Sequence, residues 1–333
     1  MKRIVFLLTM VALMASCTTS QKKQEKESPS GSKKIKILID TDANNELDDQ
    51  HALAYAFLNS DVFEVVGVTV NNTINGEGIN GHYNEALRII RLFNLEEEIP
   101  LKKGAVGMYE EIKQQVAEND YDGKEAVDFI VEEARKARGE KLILLPIGKL
   151  TNIALALKVA PEIKEKVRVV WLGSNYPGAG EYNLENDTTS VNPVIESGVE
   201  FEMVTVRYGL PSGTAAVTVT PEEIKNNALG KGPVAKTPIT GRHGGEFTRF
   251  GDYSVNLFDK AEMYGDPPSR ALFDMAAVAI VKNPGWAEKV EIPAPKLSGN
   301  GWIDQPDNDH KISIWENFNR DAIVDDFFEL LKN

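Results

Sequence analysis

Short apolar runs rich in β-branched residues alternate with segments of helical period through most of this chain, and that alternation leaves few folds open to it. Residues 35–39, 62–70, 141–146, 167–172 and 201–206 read as buried strands. Between and after them, residues 50–58, 83–93, 128–138, 150–159 and 221–227 read as helices, followed by an apolar helix at 271–280, a strand at 312–315 and a closing helix at 320–331. Strands alternating with helices of this length predict an α/β domain with a mainly parallel central sheet and helices on both faces. Neither a GxGxxG fingerprint nor a phosphate-binding loop is present, and no internal repeat. Residues 230–266 break the pattern. They are rich in Gly, Pro and Thr, lack sustained periodicity, and read as an irregular lid carrying Arg242, His243 and Tyr253.

The first strand runs directly into acids. Asp40 and Asp42 sit at its C-terminal end, and after a turn come Glu46, Asp48 and Asp49 at the start of the next helix. A helix N-terminus favours one or two of these charges. Five within ten residues repel one another unless a cation or a proton sits among them. A hard divalent cation held by carboxylate oxygens is the natural remedy, at the strand edge where open α/β sheets bind ligands. Asp274, a lone acid inside the apolar stretch 271–280, is costly to bury unless paired or metal-bound, which makes it a distant ligand for the same cation.

The chain of 333 residues carries 37 Lys+Arg against 50 Asp+Glu, and a net charge of −13 argues against a nucleic-acid backbone as partner. Lys2 and Arg3 precede an apolar stretch too short to span a bilayer as a mature helix, ending in Ala15, Ser16 and Cys17, as an export signal does. The stretch Leu13-Met-Ala-Ser-Cys17 resembles the site at which bacterial lipoproteins are lipidated, and a single cysteine excludes an intramolecular disulfide. The expectation is a signal over residues 1–17 with lipidated Cys17, a disordered tether over 18–32, and one catalytic domain over 33–333, anchored at the bacterial cell envelope and touching membrane only through its lipid.

Five features now occur in order: DTDxxxxxDD after the first strand, Pro146-Ile-Gly-Lys-Leu-Thr-Asn-Ile-Ala-Leu-Ala156, Trp171-Leu-Gly173, Glu181-Tyr-Asn183, and Phe273-Asp274 opening an apolar helix. Together they resemble the inosine-uridine-type nucleoside hydrolases, whose Rossmann-like fold the resemblance implies. It also implies one calcium ion held by Asp42, Asp49, the backbone carbonyl of Ile147 and Asp274, a ribonucleoside substrate gripped through its ribose by Asp48, Asn72 (or its neighbour Asn71), Asn175, Glu181 and Asn183, and a homodimer or homotetramer. Calcium can hold a water and lower its pKa, and Asp42 is the carboxylate expected to take the proton as water attacks the anomeric carbon. Cleavage passes through an oxocarbenium-like state that nearby carboxylates stabilise.

Two departures bear on that reading. The family loop is usually DTDPGxDD, whereas residues 43–47 here are two residues longer and put Glu46 close to the metal position. Members acting on inosine often place His before the late Asp as leaving-group acid; here it is Phe273, so the proton must come from His243, Tyr253 or solvent, or the base must be activated by stacking. His51 reads as a local hydrogen-bonding residue, His82 and His310 as surface positions, and no histidine has zinc-type spacing. Two other readings stay open: a phosphatase of the haloacid-dehalogenase type with Asp40 as nucleophile, against which Asn44 stands where that class wants Thr or Val, and a tethered riboside-binding protein without turnover.

Overall fold

Ile37, Leu38 and Ile39 are fully buried and alternate between two apolar layers, Ile37 and Ile39 on one side and Leu38 on the other, as a strand covered on both faces must. In the computed structural model, which describes residue 1 and residues 33–332, this strand lies inside an eight-stranded sheet. The strands are β1 (Ile35–Thr41), β2 (Phe63–Val70), β3 (Leu101–Lys103), β4 (Leu142–Pro146), β5 (Val167–Leu172), β6 (Glu200–Val204), β7 (Glu288–Pro293) and β8 (Lys311–Glu316). Their order is β7-β8-β6-β5-β4-β1-β2-β3, every neighbouring pair parallel except β7 with β8. The chain therefore winds outward from β1 toward β3, then returns to β4 and winds the other way. Between β1 and β4 the direction reverses, and a crevice opens there at the C-terminal strand ends.

Helices Asp48–Leu58, Gly78–Leu92, Phe250–Lys260, Phe273–Lys282 and Arg320–Leu330 cover one face; Lys124–Lys136, Thr151–Val159 and Thr188–Glu196 cover the other. The helix Asp48–Leu58 is buried from Asp48 through Phe57, so its polar side chains need partners. His51 Nδ1 lies 2.6 Å from the Leu47 carbonyl and Nε2 lies 2.7 Å from Ser254 Oγ, with Phe250, Phe258 and Phe327 packed edge-on around the ring. Burial in that apolar cage pushes its pKa down to about 4, so His51 is neutral.

Two expectations change. The stretch 230–266 is not irregular throughout: it contains the helix Phe250–Lys260 and a small hairpin pairing Ile239–Thr240 with Glu246–Phe247. Phe250, Tyr253, Leu257 and Phe258 form a buried stripe at helical spacing, diluted in the sequence by Gly251, Asp252, Ser254 and Asn256. His82 is fully buried rather than at the surface, its Nδ1 accepting the backbone N–H of Asn44 at 3.2 Å. The signal over 1–17, Cys17 and the tether over 18–32 lie outside the described residues. Among the described residues no helix is long and apolar enough to cross a membrane.

Candidate functional site

The crevice beyond β1 and β4 is a cavity of about 570 Å³, within the range of small-molecule sites. Asp42, Asp48, Asp49 and Asp274 lie on its wall, all but closed to solvent. The end of β1 brings Asp42, the start of the next helix brings Asp48 and Asp49, and the first turn of Phe273–Lys282 brings Asp274. The longer loop 43–47 returns the chain through specific contacts. Asn44 donates through Nδ2 to the Gly76 carbonyl at 2.9 Å, the Asn45 N–H turns back to the Asp42 carbonyl at 3.0 Å, and Leu47 is buried beneath. Arg242 Nη1 and Gln50 Nε2 both donate to the Glu46 carbonyl, at 2.7 and 3.2 Å. The Glu46 carboxylate forms an ion pair with Arg270, the sole cation lining the cavity among the described residues.

Asp48, Asp49 and Asp274 each offer an oxygen within 4.8 Å of the others. Burial raises all their pKa values, with mutual repulsion added: Asp48 to about 6, Asp49 and Asp274 well above the usual carboxylate range. Asp42 rises to about 7 for the same reason, opposed by a 2.7 Å hydrogen bond from Thr73 Oγ1 and reinforced by the charges of Glu181 and Asp40. Thr41 Oγ1 donates to Asp49 at 2.5 Å, whereas Oδ1 of Asp274 is buried without any hydrogen-bond partner. An orphaned buried oxygen among crowded carboxylates fits a hard cation. Asp42 stands beside the tightest trio rather than in it, and Asp48, expected on the sugar, belongs to it. Ile147 also lines the cavity; its carbonyl accepts Asn183 Nδ2 at 3.1 Å and keeps a second lone pair. Gly148 must be glycine here, because a Cβ would come within 3.0 Å of Asp42 Oδ1 and 2.7 Å of Asn71 Nδ2.

The opposite wall follows β5. Glu181 Oε2 accepts the backbone N–H groups of Ser174 at 2.9 Å and Leu184 at 3.0 Å, leaving Oε1 for the cavity. Burial pushes this carboxyl up to about 6. Asn183 spends both N–H groups of its amide on the Ile147 and Leu172 carbonyls, so Oδ1 is its remaining polar atom.

Several expected residues are placed elsewhere. Asn175 does not line the cavity: its Nδ2 reaches the Ala179 carbonyl at 3.3 Å and its Oδ1 accepts the Tyr208 N–H at 3.2 Å. Asn72 is not among the lining residues and is tied through its backbone N–H to the Ala105 carbonyl, and Asn71 donates to Asp40. His243 is exposed on the glycine turn of the 239–247 hairpin, away from the cavity, its pKa lowered by partial burial and by Arg242. Tyr253 is buried in the core with its hydroxyl donating to Glu85 at 2.6 Å. Asp40, also off the cavity, accepts from Thr69, Asn152 and Asn71 at 2.6, 2.8 and 3.0 Å.

In their place come Tyr208, Tyr264, Arg270 and Tyr182. Tyr208 meets Phe273 edge-to-face at 5.8 Å, and its hydroxyl pKa is pushed up by burial and by Glu181, with Asp48 and Asp274 adding to it. A position four residues beyond the end of β6 was the available signal, since ligands gather outside strand ends.

The model of the inosine-uridine preferring nucleoside hydrolase family matches residues 37–325. Among curated proteins, the chain is 29% identical over 192 residues to the non-specific ribonucleoside hydrolase RihC of Escherichia coli, covering 51% of this chain and 60% of that protein. It is 30% identical over 194 residues to the probable uridine nucleosidase 2 of Oryza sativa, covering 51% of this chain and 56% of that one, so the alignments span less than two thirds of those relatives. A solved plant nucleoside hydrolase, PpNRh1, shares the fold at a TM-score of 0.68 and 18% identity, over 90% of this chain and 99% of its own. With a match running through every element that builds the cavity, from β1 to the closing helix, the chain belongs to the inosine-uridine preferring nucleoside hydrolase family.

Proposed function

We propose that this protein hydrolyses the N-glycosidic bond of ribonucleosides, giving ribose and free base, and does so with calcium. The carrying observation is the convergence of Asp42, Asp48, Asp49 and Asp274 on one cavity wall, with an unpartnered Asp274 oxygen among them. Asp49, Asp274, Asp42 and the Ile147 carbonyl would hold the ion, an all-oxygen set suited to calcium. Bound there, it supplies the positive charge that lets these carboxylates ionise together and makes a neighbouring water more acidic.

The chain's own groups do the rest. Asp42 keeps Oδ2 on Thr73 and has Oδ1 to take the proton of the attacking water. Water adds to the anomeric carbon, the C–N bond breaks, and its electron pair leaves with the base, which must gain a proton. Oε1 of Glu181, Oδ1 of Asn183 and the Asp48 carboxylate are acceptors matched to ribose hydroxyls, and their fixed placement orients the sugar. The aromatic corner of Tyr208 and Phe273 receives the base, with the Tyr208 hydroxyl at the site to hydrogen-bond the departing nitrogen. The basic start, the apolar stretch and Cys17 support export and lipid anchoring at a bacterial cell envelope. By analogy with the family, the working unit is a dimer or tetramer.

The test is release of free ribose from a panel of purine and pyrimidine nucleosides by residues 33–333, with and without chelator, beside Asp42→Asn. Ribose released only with calcium and lost in the variant supports the proposal. Tight calcium and nucleoside binding without release would favour a riboside-binding protein, and Phe273 in place of an acid is the feature that keeps this second reading alive.

A further inference from the structure

The C-terminal region carries a hairpin, Lys296–Ser298 paired with Gly301–Ile303, that lies outside the sheet and away from the cavity lining. Its first strand is pinned to the helix Thr188–Glu196: Asn192 donates to the Leu297 carbonyl and accepts the Leu297 N–H, each at 2.9 Å, and Leu297 is buried. Its second strand and tip grip the segment behind Glu181. The Gly180 N–H donates to the Asn300 carbonyl at 2.7 Å, Asn300 Nδ2 donates to Glu185 Oε1 at 3.0 Å, and Trp302 Nε1 donates to Ser174 Oγ at 2.9 Å. The Tyr176 ring stands edge-on to Trp302 at 5.8 Å, and its hydroxyl donates to Asp304 Oδ1 at 2.9 Å.

Ser174 is where these contacts meet the site. It is fully buried and non-glycine at φ 93°, a conformation that costs free energy and persists only where its surroundings over-determine it. All three of its polar groups are committed. Its N–H holds Glu181 Oε2 at 2.9 Å, its carbonyl accepts the Val206 N–H at 2.8 Å, and its Oγ accepts both Trp302 Nε1 and the Tyr176 N–H at 2.9 Å. Glu181 is itself held at a positive φ of 134°. The Tyr176 carbonyl accepts Arg207 Nε at 2.8 Å, next to Tyr208. One end of this network is the hairpin; the other ends are the Glu181 carboxylate and the Tyr208 ring.

We infer that the hairpin is a clamp that holds the ribose-binding wall in register, with Trp302 as a positioning residue acting through Ser174 on Glu181. This rests on the ribose-gripping role proposed for Glu181. Trp302 touches no substrate; it supplies the donor that keeps Ser174 in its strained conformation, and Ser174 in turn keeps the carboxylate aimed. Without that donor, Ser174 relaxes toward ordinary extended backbone and its N–H leaves Glu181.

The test compares Trp302→Phe, which keeps a ring and removes the N–H, with the unaltered calcium-loaded protein. Hydrogen exchange is read first. Amides of residues 174–181 should exchange at least tenfold faster in the variant, with the remaining segments and the melting temperature little changed. Steady-state ribose release from the best-cleaved nucleoside is read second. KM should rise about tenfold with kcat altered less than threefold, because a loosened grip weakens substrate and transition state alike. In a Glu181→Ala background, where the acceptor of the Ser174 N–H is removed, the same substitution should change KM less than twofold, since its route of action is gone. Unchanged exchange at 174–181, or an equal KM effect in both backgrounds, overturns the clamp. If the unaltered protein releases ribose from no nucleoside, the proposed activity and the role given to Trp302 in it fall together, while the exchange measurement still decides whether the hairpin holds the wall.

Discussion

Asp40 and Asp42 leave the same strand two residues apart, both fully buried, and their surroundings differ completely. Asp40 is met by three side-chain donors, Thr69, Asn152 and Asn71, which tie β1 to β2 and to the helix after β4. Asp42 has one such donor, Thr73, shares its cavity wall with Asp48, Asp49 and Asp274, and is raised further by the charge of Glu181. The first carboxylate is satisfied by its fold; the second group is crowded with like charge and includes an Asp274 oxygen that accepts no hydrogen bond. Burial raises both, so burial does not tell them apart. The supply of donors does.

The largest break in this contrast comes from the crowded side. Asp274→Asn removes the unpartnered oxygen's charge and should lower kcat/KM for nucleoside cleavage by at least about 10³-fold, with calcium affinity falling alongside. Calorimetric titration of calcium together with ribose release checks this. A variant that binds calcium normally and cleaves normally would remove Asp274 from the site.

On the satisfied side the effect falls on stability. Asp40→Ala strands the Thr69, Asn71 and Asn152 donors in the core and should cost about 3 kcal/mol by denaturant unfolding. Asp274→Asn in chelator should do the opposite and stabilise by about 1 kcal/mol, because it relieves repulsion. If both variants lost stability equally without metal, the two acid environments would be alike and the contrast would fail.

Acidity sharpens it further. Burial holds Asp42 at about 7 and Asp48 at about 6, above the ordinary 3.8, so the metal-free native state binds protons that the unfolded chain does not. Their contribution is complete below the ordinary carboxylate range and is lost as pH rises through about 6 to 7. His51 and His82, held down at about 4 by burial, act in the opposite sense, favouring folding above their ordinary 6.5 and losing that contribution on acidification. Held at about 4, both histidines stay neutral in the native state between pH 5 and pH 8, so they contribute equally to calcium-saturated and chelated protein. The stability difference between those two forms should therefore widen from pH 5 to pH 8, by on the order of 2 kcal/mol, as protons stop competing for the carboxylates. A gap that narrows over that range would mean the cation is not held by these acids.

The same contrast explains what was legible beforehand. Asp42, Asp48, Asp49 and Asp274 stand out in the sequence because charge beside β-branched and apolar residues is costly, and cost without visible compensation marks a site. The parallel sheet was legible because its strands are continuous apolar runs. Asn175 was not, since whether an amide faces a cavity depends on what else claims it, here the Tyr208 N–H and the Ala179 carbonyl. Tyr208 comes from a loop and Arg270 from a two-residue strand, both too short or irregular for periodicity to encode, and the ion pair of Arg270 with Glu46 joins positions more than two hundred residues apart. His82 reads as a surface residue until the longer loop 43–47 folds over it and uses its Nδ1 to fix Asn44.

The smallest expected effects decide between two sources for the leaving-group proton. His243, its pKa lowered by partial burial and by Arg242, is exposed on a turn and does not line the cavity, whereas Tyr208, half-exposed as a residue, lines the cavity with its hydroxyl pKa raised by desolvation and by Glu181. A phenol held above its ordinary pKa is a weak acid yet a steady hydrogen-bond donor, and donation to a departing nitrogen is worth about tenfold in kcat. Tyr208→Phe should therefore lower kcat about tenfold, with less effect for nucleosides whose bases leave readily, because a good leaving group needs little help. His243→Ala should change kcat/KM less than twofold at any pH between 5 and 8. The reverse outcome, a large loss at His243 with a pH profile that flattens on the acid side and little change at Tyr208, would require the 239–247 hairpin to move onto the cavity when substrate binds, and would return the 230–266 segment to the role of a lid.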